Sequence, residues 1–267
     1  SISSKCMASI QELLTSEASY TESLKVLLEK YYKPLRQQQF KLKPILFETE
    51  IDQIFLNVED LLIIADQLRQ ELDDKIKEDP NIPRIGAVMV RMAPMLKFYE
   101  KYAANFSKAS SMLQQLREQK PNFQSFLEEV RRDSPPTLTL ESYLIMPVQR
   151  IPRYKLLLEE ILKHADPAFP DAGAINTALT LVSERAVQCN EATRSAQNME
   201  ALRRIQNSLQ AVEVASEERS VLCEGALHRV RSRRGDKVRC TFYLFTDALL
   251  IAESSSIGGI PIPRSEE

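Results

Sequence analysis

Hydrophobic side chains recur every three to four positions through most of the first 210 residues, and this spacing is typical of amphipathic helices. Prolines interrupt the pattern, and Pro34 is expected to end the first helix while Pro94 is expected to bend the helix over 85–116. Beyond about residue 212, apolar and polar residues alternate instead and many are β-branched or aromatic, as in strands. The pattern predicts helices over 4–31, 48–78, 85–116, 123–130, 141–164 and 174–209, and strands over 221–230, 238–245 and 248–252.

These two patterns divide the chain into two predicted domains. The expected fold is mainly α, with an elongated helical bundle over 1–210 followed by part of a β-rich domain over 211–267. The composition favours helix over most of the length, because the chain has 6 glycines, no tryptophan and many good helix formers. The final stretch, 254–267, is expected to be a loop or segments joined across a gap.

The segment over 141–164 has an unusual pattern, because Pro147 and Pro152 lie within an otherwise helical and strongly apolar run. An interior proline costs a helix roughly 3 kcal/mol, which packing has to offset, so we expect the segment to be buried nearly all round. A mostly polar stripe at helical spacing interrupts its apolar surface. This stripe either pairs with carboxylates of neighbouring helices or binds a partner. It consists of Met146, Gln149, Arg150 and Arg153.

Three further polar residues stand out on predicted helices. Glu17 lies seven residues after Ile10 and seven before Leu24, in the middle of an apolar stripe where an unpaired carboxylate is costly to bury. Either it forms an ion pair inside the bundle, or the stripe leaves the core there and presents Glu17 to another protein. Asn190 borders the apolar stripe of the last helix, with Gln197 two turns further on, and such residues are usually solvated or part of a buried network.

The composition argues against several classes of function. A net charge of −2 gives no electrostatic argument for nucleic-acid binding. The 4 cysteines and 2 histidines have no metal-ligand spacing, so we expect no metal, no cofactor and reduced, buried cysteines in a cytosolic protein. No glycine-rich phosphate loop or Ser/His/Asp set is present, which weighs against hydrolase or kinase chemistry. No apolar run approaches about 18 residues, so no membrane span is expected.

Several motifs resemble the Dbl-homology (DH) domain of guanine nucleotide exchange factors for Rho-family GTPases. The third conserved DH region is matched by YLIMPVQRIPRYKLLLEE over 143–160, the first by IQELLTSEASYTESLKVL over 10–27, and the second by IFLNVEDLLIIADQLRQEL over 54–72. QCNEATR over 188–194 resembles the end of the DH signature. CEGALHRV and TFYLFTDALLIAE resemble the first strands of a pleckstrin-homology (PH) domain, which usually follows a DH domain.

The resemblance implies a function and a set of site residues. A DH domain releases GDP from a Rho-family GTPase by binding its nucleotide-free state more tightly, without making or breaking covalent bonds. By analogy, Glu17 engages the first switch of the GTPase, while Arg153 and Asn190 hold its second switch in an altered conformation. The remaining residues expected at the GTPase surface are Ile145, Val148, Gln149, Arg150 and Gln197, although Gln149 and Arg150 are equally compatible with an internal position.

The resemblance also bears on partner choice. LESYLI, and Ile145 within it, resemble Rac-selective members, so a Rac-like GTPase is the first expectation. The chain departs from the family in having Ser16 for the usual Thr, Met146 where Lys is usual, and Gln197 where some members have Glu. The alternative function is a non-catalytic DH/PH scaffold that binds a GTPase or membrane phosphoinositides without driving exchange.

A basic cluster marks the turn between the first two predicted strands. Its six basic residues lie within eleven positions, against one acidic residue. They form either a solvated hairpin or a site for a phosphoinositide headgroup, because clustered Lys and Arg near a membrane contribute about 1 kcal/mol each. We therefore expect a cytoplasmic protein that is recruited to the inner face of the plasma membrane. The candidate lipid-binding residues are Arg229, Arg231, Lys237 and Arg239.

Overall fold

The computed structural model describes residues 3–38, 41–133, 138–166, 169–209, 213–214, 216, 218–230, 237–257 and 260–266, with side chains described for all of these except 133 and 254–266. The chain forms two compact units, Ser1–Thr193 and Arg194–Glu267. The division falls within the last helix, earlier than the sequence-based boundary at 210. Within the described residues, no helix has both the length and the apolar character that a membrane crossing requires.

Among its described residues, the regular structure of the first unit is helical, as the hydrophobic spacing predicted. Their order follows the predicted segments, and the last helix continues from the first unit into the second. The helices are α1 (Ser4–Val26), α2 (Lys33–Gln38), α3 (Glu48–Phe55), α4 (Val58–Glu78), α5 (Gly86–Met92), α6 (Lys97–Gln119), α7 (Pro121–Asp133), α8 (Leu140–Leu144), α9 (Met146–His164) and α10 (Ala172–Ser208).

The first predicted helix does not end at Pro34. A π-helical segment, Leu27–Tyr32, connects α1 to α2, and the Lys33 N–H donates to the Leu28 carbonyl five residues back. An α-helical proline would clash with the carbonyl four residues before it. The wider π turn lies immediately before Pro34, so the helical path continues through the position where the sequence predicted a stop.

Two other predicted helices are interrupted. The segment over 48–78 breaks at Leu56, which has a φ of 53°, an uncommon value for a residue with a side chain. The segment over 85–116 contains a 3₁₀ turn, Ala93–Leu96, with Pro94 in its first turn. The second break agrees with the bend predicted at Pro94, whereas no glycine or proline marks the first one.

The prolines of the 141–164 segment are accommodated in different ways. Pro147 lies in the first turn of α9, where a missing N–H costs nothing because that group has no helical partner. Pro152 lies inside α9 and its ring is exposed. The segment is therefore two helices, α8 and α9, with the junction at Ile145.

A single hydrophobic core joins the helices of the first unit, and α1 packs against both α4 and α9 within it. Its largest fully buried side chains include four tyrosines, Tyr31, Tyr99, Tyr102 and Tyr154. Buried tyrosines need hydrogen-bond partners, and the Tyr102 hydroxyl donates to the Leu144 carbonyl at 2.8 Å. This core brings α1 and α9 side by side.

The described strands of the second unit form an antiparallel sheet in the order β1-β2-β3-β4. Its own core joins Leu202 and Ile205 of α10 to side chains of β2 and β3. The expectation of a loop over 254–267 is wrong for the described part, because β3 runs on to Ile257 and β4 pairs with it. The strands are β1 (Val221–Val230), β2 (Lys237–Phe245), β3 (Leu249–Ile257) and β4 (Ile260–Glu266).

Candidate functional site

A buried ion pair connects α1 and α9. The Arg150 Nη2 atom donates to Glu17 Oε2, and 0% of the Glu17 side chain and 5% of the Arg150 side chain are exposed. The Tyr154 hydroxyl donates to the same carboxylate oxygen at 2.7 Å, and Arg150 Nη1 donates to Ser16 Oγ at 2.7 Å. Two consecutive residues of α1 therefore bind one guanidinium from α9.

Aromatic rings enclose the Arg150 guanidinium. Its central carbon lies 4.9 Å from the ring centroid of Tyr20 and 4.4 Å from that of Tyr154, which are cation–π distances. The Tyr20 hydroxyl in turn donates to the Tyr99 hydroxyl at 3.2 Å. The ion pair thus lies in a mainly aromatic and almost fully buried environment.

Burial sets the electrostatics of this network. It raises the pKa of the Glu17 carboxyl, and Arg150 and the Tyr154 hydrogen bond oppose that rise. Burial also raises the pKa of the Tyr20, Tyr99 and Tyr154 hydroxyls well above the usual value, so these groups remain hydrogen-bond donors. For Arg150, burial lowers the pKa but Tyr154 and Glu17 outweigh it, so the guanidinium stays charged.

The hydrogen bonding of this network is incomplete on one side. Among the described residues, Glu17 Oε1, Arg150 Nε and Thr21 Oγ1 are buried without a hydrogen-bond partner. Glu17 and Thr21 are one turn apart on α1, and Arg150 contacts Glu17 directly. Unsatisfied buried polar atoms are uncommon, so their concentration at one place marks this as a functional candidate.

The structure corrects the predicted positions of two site residues. Glu17 was expected to be presented at the surface, but it lies inside the unit in an ion pair, the other alternative that its position in the apolar stripe left open. Arg150 was expected among the GTPase-contacting residues, with an internal position equally open, and it lies inside as the partner of Glu17. The two buried charges neutralise one another, and aromatic rings cover the guanidinium.

Other predicted residues lie on the surface next to this pair. Arg153 donates to Glu12 at 2.5 Å, and because 47% and 53% of these side chains are exposed, the pair adds at most about 1 kcal/mol. Gln149 is exposed, while Ile145 and Val148 are partly buried. An open cleft of about 310 Å³ lies along this surface. Its lining residues are Ser19, Tyr20, Ser23, Met146, Gln149, Arg150 and Arg153.

The two remaining polar residues lie on α10. Asn190 is exposed in the first unit, where neighbouring Arg185 donates to Glu100 of α6 at 2.9 Å and to Gln188 at 2.6 Å. Gln197 is also exposed but belongs to the second unit. The structure therefore joins Glu17 to Arg150 and places the α9 stripe of Met146, Gln149, Arg150 and Arg153 along one cleft. Asn190 is an exposed position on another helix.

Sequence reasoning missed Tyr154 and Ser16 as partners of the ion pair. Tyr154 follows Arg150 by four residues, so helical spacing alone places the two side chains on one face of α9. Ser16 was noted for its departure from the family Thr, and its hydroxyl supplies the hydrogen-bond acceptor. The spacing of Arg150 and Tyr154 could have identified the first partner, but no local signal in the sequence connects Ser16 to α9.

The candidate lipid-binding residues lie on β1 and β2. Lys237 and Arg239 are exposed on β2, while Arg229 is on β1, 3.7 Å from the Glu253 carboxylate. Arg231 lies outside the described residues. Across the described part of the chain, no group of three or more His, Cys, Asp or Glu side chains could hold a metal ion.

Known proteins resemble this chain over most of its length. It is 29% identical over 250 residues to Rac guanine nucleotide exchange factor JJ of Dictyostelium discoideum, covering 93% of this chain and 21% of that protein. It is 29% identical over 243 residues to FYVE, RhoGEF and PH domain-containing protein 4 of Rattus norvegicus, covering 90% of this chain and 31% of that protein. The chain thus spans 21% and 31% of the length of these two curated relatives.

Solved structures share its fold. The DH/PH domains of p115-RhoGEF align with a TM-score of 0.82 at 20% identity, covering 96% of this chain and 78% of that one. The DH/PH fragment of PDZ-RhoGEF, solved in complex with human RhoA, aligns with a TM-score of 0.77 at 22% identity, covering 96% and 76%. These alignments confirm a mainly α DH bundle followed by part of a PH domain.

The family match covers the bundle that holds the ion pair and the cleft. Residues 9–190 match the RhoGEF domain, which is more than half of the chain. This range begins on α1 and ends at Asn190, so it includes Glu17 and the whole of α9. The chain therefore belongs to the RhoGEF (Dbl-homology) domain family.

Proposed function

We propose that this chain is a guanine nucleotide exchange factor that accelerates GDP release from a Rho-family GTPase. The observation that carries the proposal is the adjoining α1–α9 surface, where the buried Glu17–Arg150 pair lies beside exposed Arg153 and Gln149 within the region that matches the RhoGEF domain. Exchange follows if this surface binds the nucleotide-free GTPase better than the GDP-bound one, because linkage then weakens GDP binding by the same factor.

Each residue has a separate part in the proposal. Arg153 and Asn190 hold the second switch of the GTPase, because both are exposed and Arg153 is tied only weakly to Glu12. Glu17 acts on the first switch from within the buried network. Ile145, Val148 and Gln149 complete the contact surface, and no covalent chemistry is required. Gln197 of the second unit is proposed as a separate contact residue.

A Rac-like GTPase is the partner that we propose first. Two observations support this choice: the similarity to Rac guanine nucleotide exchange factor JJ, and the engagement of Arg185 by Glu100 and Gln188. A guanidinium engaged in this way offers little attraction to an acidic partner surface, which the family resemblance associates with Rho-type GTPases. Because the PDZ-RhoGEF fragment was solved with RhoA, the test has to include Rho as well as Rac.

The second unit is proposed to contact membrane phosphoinositides. The exposed side chains of Lys237 and Arg239 on β2 support this, since clustered basic groups are attracted to anionic headgroups. Such contact would recruit a cytoplasmic protein to the inner face of the plasma membrane. Co-sedimentation with vesicles containing phosphatidylinositol phosphates tests it, and equal binding by the Lys237→Ala/Arg239→Ala variant would count against it.

The exchange activity is tested by following release of a fluorescent GDP analogue from a panel of Rho-family GTPases. The wild-type chain should accelerate release from Rac, and Arg153→Ala should lower kcat/KM by about tenfold, the equivalent of roughly 1.4 kcal/mol. Lys163→Ala is the matched control, because Lys163 is exposed near the end of α9 and pairs with Glu160 at 3.1 Å. Acceleration on another GTPase would change the partner, and no acceleration on any would refute the exchange function.

A further inference from the structure

The loop between α2 and α3 lines a second open cleft, which we call the loop cleft. Its volume is about 480 Å³, and its walls are formed by 42–47 and by 119–122 at the junction of α6 and α7. Pro44 and Pro121 lie in opposite walls, and their fixed φ angles limit the freedom of both. The loop cleft shares no described residue with the cleft between α1 and α9, so it is a separate feature of the first unit.

Two large apolar side chains in the loop cleft are open to solvent. Leu42 is fully exposed, and Phe47 is 59% exposed. The Phe47 ring is held in place by Lys120, whose Nζ atom lies 4.6 Å from the ring centroid and donates to Glu50 at 2.7 Å. Exposed apolar side chains that line one concave surface are typical of interaction sites.

The unpaired charge beside these side chains is positive. Lys41 and Lys43 flank Leu42 in the sequence, are exposed, and form no ion pair with another described residue. None of the described residues that line the loop cleft is Asp or Glu. Glu48, the exposed acid that follows the loop, pairs with Arg36 at 3.3 Å. An acidic partner would therefore be attracted to this side of the unit and a basic one repelled.

The opposite wall supplies neutral hydrogen-bonding groups. Gln119 and Asn122 line it, both are exposed, and neither side chain hydrogen-bonds to another described residue. Each amide offers a donor and an acceptor, the same pair that a peptide backbone presents. A concave site with free amides fits an extended peptide better than it fits the surface of a lipid bilayer, for which cations and apolar side chains suffice.

We propose that the loop cleft binds a short acidic peptide segment of a partner protein, in which carboxylates flank a large apolar side chain. The apolar side chain packs between Leu42 and Phe47, and the carboxylates face Lys41 and Lys43. The amides of the opposite wall bond to the backbone of the peptide. Because the two clefts share no residue, this inference stands or falls independently of the exchange function.

The first step of the test selects peptides from a display library of random twelve-residue sequences. The intact chain is the bait, and binders of a Leu42→Ser/Phe47→Ser variant are removed by counter-selection. The enriched peptides should carry at least two acidic residues within three positions of a large apolar one. Both substituted side chains are exposed, so thermal unfolding of the variant should match that of the wild-type chain.

The second step measures the affinity of the most enriched peptide, made synthetically and labelled with a fluorophore. Lys41→Glu/Lys43→Glu should weaken its binding by about tenfold or more, since carboxylates would then face carboxylates. Lys101→Glu/Lys108→Glu is the matched control, because it makes the same change in charge at two exposed positions of α6. This control should bind the peptide with the affinity of the wild-type chain.

Several results would overturn the proposal. These are enriched peptides that are basic or uncharged, a selection in which no peptide depends on Leu42 and Phe47, and an equal loss of affinity in the two lysine variants. Two other occupants are tested with the same Leu42→Ser/Phe47→Ser variant. Co-sedimentation of only the wild-type chain with phosphatidylserine vesicles, without peptide selection, would assign the loop cleft to a membrane. A dimer in sedimentation velocity that the variant loses would assign it to a second copy of the chain.

Discussion

Arg150 donates to Glu17 across 133 residues of sequence, and this contact joins α9 to α1 inside the helical unit. The carboxylate that the sequence marked as costly to bury is thereby paired with a guanidinium of the α9 stripe. A buried pair of this kind adds little net stability over apolar residues, but removing one partner is strongly destabilising. We therefore expect removal of one partner to lower the stability of the fold as well as the rate of nucleotide exchange.

The first prediction concerns the stability of the pair. Arg150→Met leaves the Glu17 carboxylate buried without its counter-ion, and should lower the free energy of unfolding by about 3–5 kcal/mol. Adding Glu17→Gln removes the unpaired charge, so the double variant should be more stable than Arg150→Met alone. Urea unfolding of the four proteins in this cycle measures both effects.

A matched control for this cycle is available on the same helix. Arg153→Met breaks the exposed pair with Glu12 and should cost less than about 1 kcal/mol. Additive losses for Arg150→Met and Glu17→Gln would contradict the account, since they would mean that the two side chains stabilise the fold independently.

A second prediction concerns two glycines at the approach of α5 to α10. A Cβ atom on Gly86 would lie 2.6 Å from the Ile175 nitrogen and 2.8 Å from the Ala174 carbonyl carbon, which are backbone atoms that cannot easily move. Gly86→Ala should therefore destabilise the fold by about 1–3 kcal/mol. Gly173→Ala meets no atom within 4 Å and should stabilise α10 by about 0.5 kcal/mol. Equal effects of the two changes in thermal unfolding would contradict this packing.

A third prediction is a pH dependence that comes from Asp171. Its buried carboxylate accepts the Gly86 N–H at 2.7 Å, and burial raises its pKa above the ordinary value although this bond opposes the rise. A raised pKa means that the folded state binds the Asp171 proton more tightly than the unfolded chain does. Protonation of Asp171 therefore adds stability below about pH 4, and this added stability is lost as the pH rises through the folded pKa.

Asp171→Asn removes that titration and keeps an oxygen acceptor for the Gly86 N–H. The difference in unfolding free energy between the variant and the wild-type chain should therefore shift in favour of the variant as the pH rises from about 4 toward neutrality. Urea unfolding across this range measures the difference, and a difference that stays constant with pH would contradict the raised pKa.

A fourth prediction concerns thiol reactivity. All four cysteines lie in the described part of the chain, where Cys6, Cys189 and Cys240 are buried and Cys223 is exposed. Burial raises the pKa of the Cys189 thiol to about 11 and also raises that of Cys6, so both have little thiolate at neutral pH. A thiol reagent should modify Cys223 rapidly in the folded chain and the other three only after unfolding. Fast modification in a Cys223→Ser variant would contradict the burial.

The sequence predicted the helices well because apolar residues recur at helical spacing, and it predicted the first two strands well because apolar and polar residues alternate there. The 174–209 segment is α10, Ala172–Ser208, and the strands over 221–230 and 238–245 are observed within one residue of their predicted bounds. The break at Leu56 could not be predicted, since no glycine or proline marks it and a positive φ is uncommon for a residue with a side chain. The π turn before Pro34 was missed because a proline ordinarily indicates that a helix stops.

The candidate site was only partly predictable for a different reason. The stripe of Gln149, Arg150 and Arg153 was visible from helical spacing, and so was the anomalous position of Glu17. Nothing in the sequence, however, determines which of two basic residues one turn apart pairs with a carboxylate on a distant helix. That choice depends on how α1 and α9 pack, and Arg150 is the residue that points inward.

We propose that this chain drives exchange by favouring the nucleotide-free GTPase. The test compares the affinity of the chain for the nucleotide-free form of one Rho-family GTPase with its affinity for the GDP-loaded form. We expect tighter binding of the nucleotide-free form, and dissociation of that complex on addition of GDP or GTP, because the coupling between the two ligands is reciprocal. Equal affinity for both forms would contradict it, since a partner bound equally in both states shifts no equilibrium and the chain would be a scaffold.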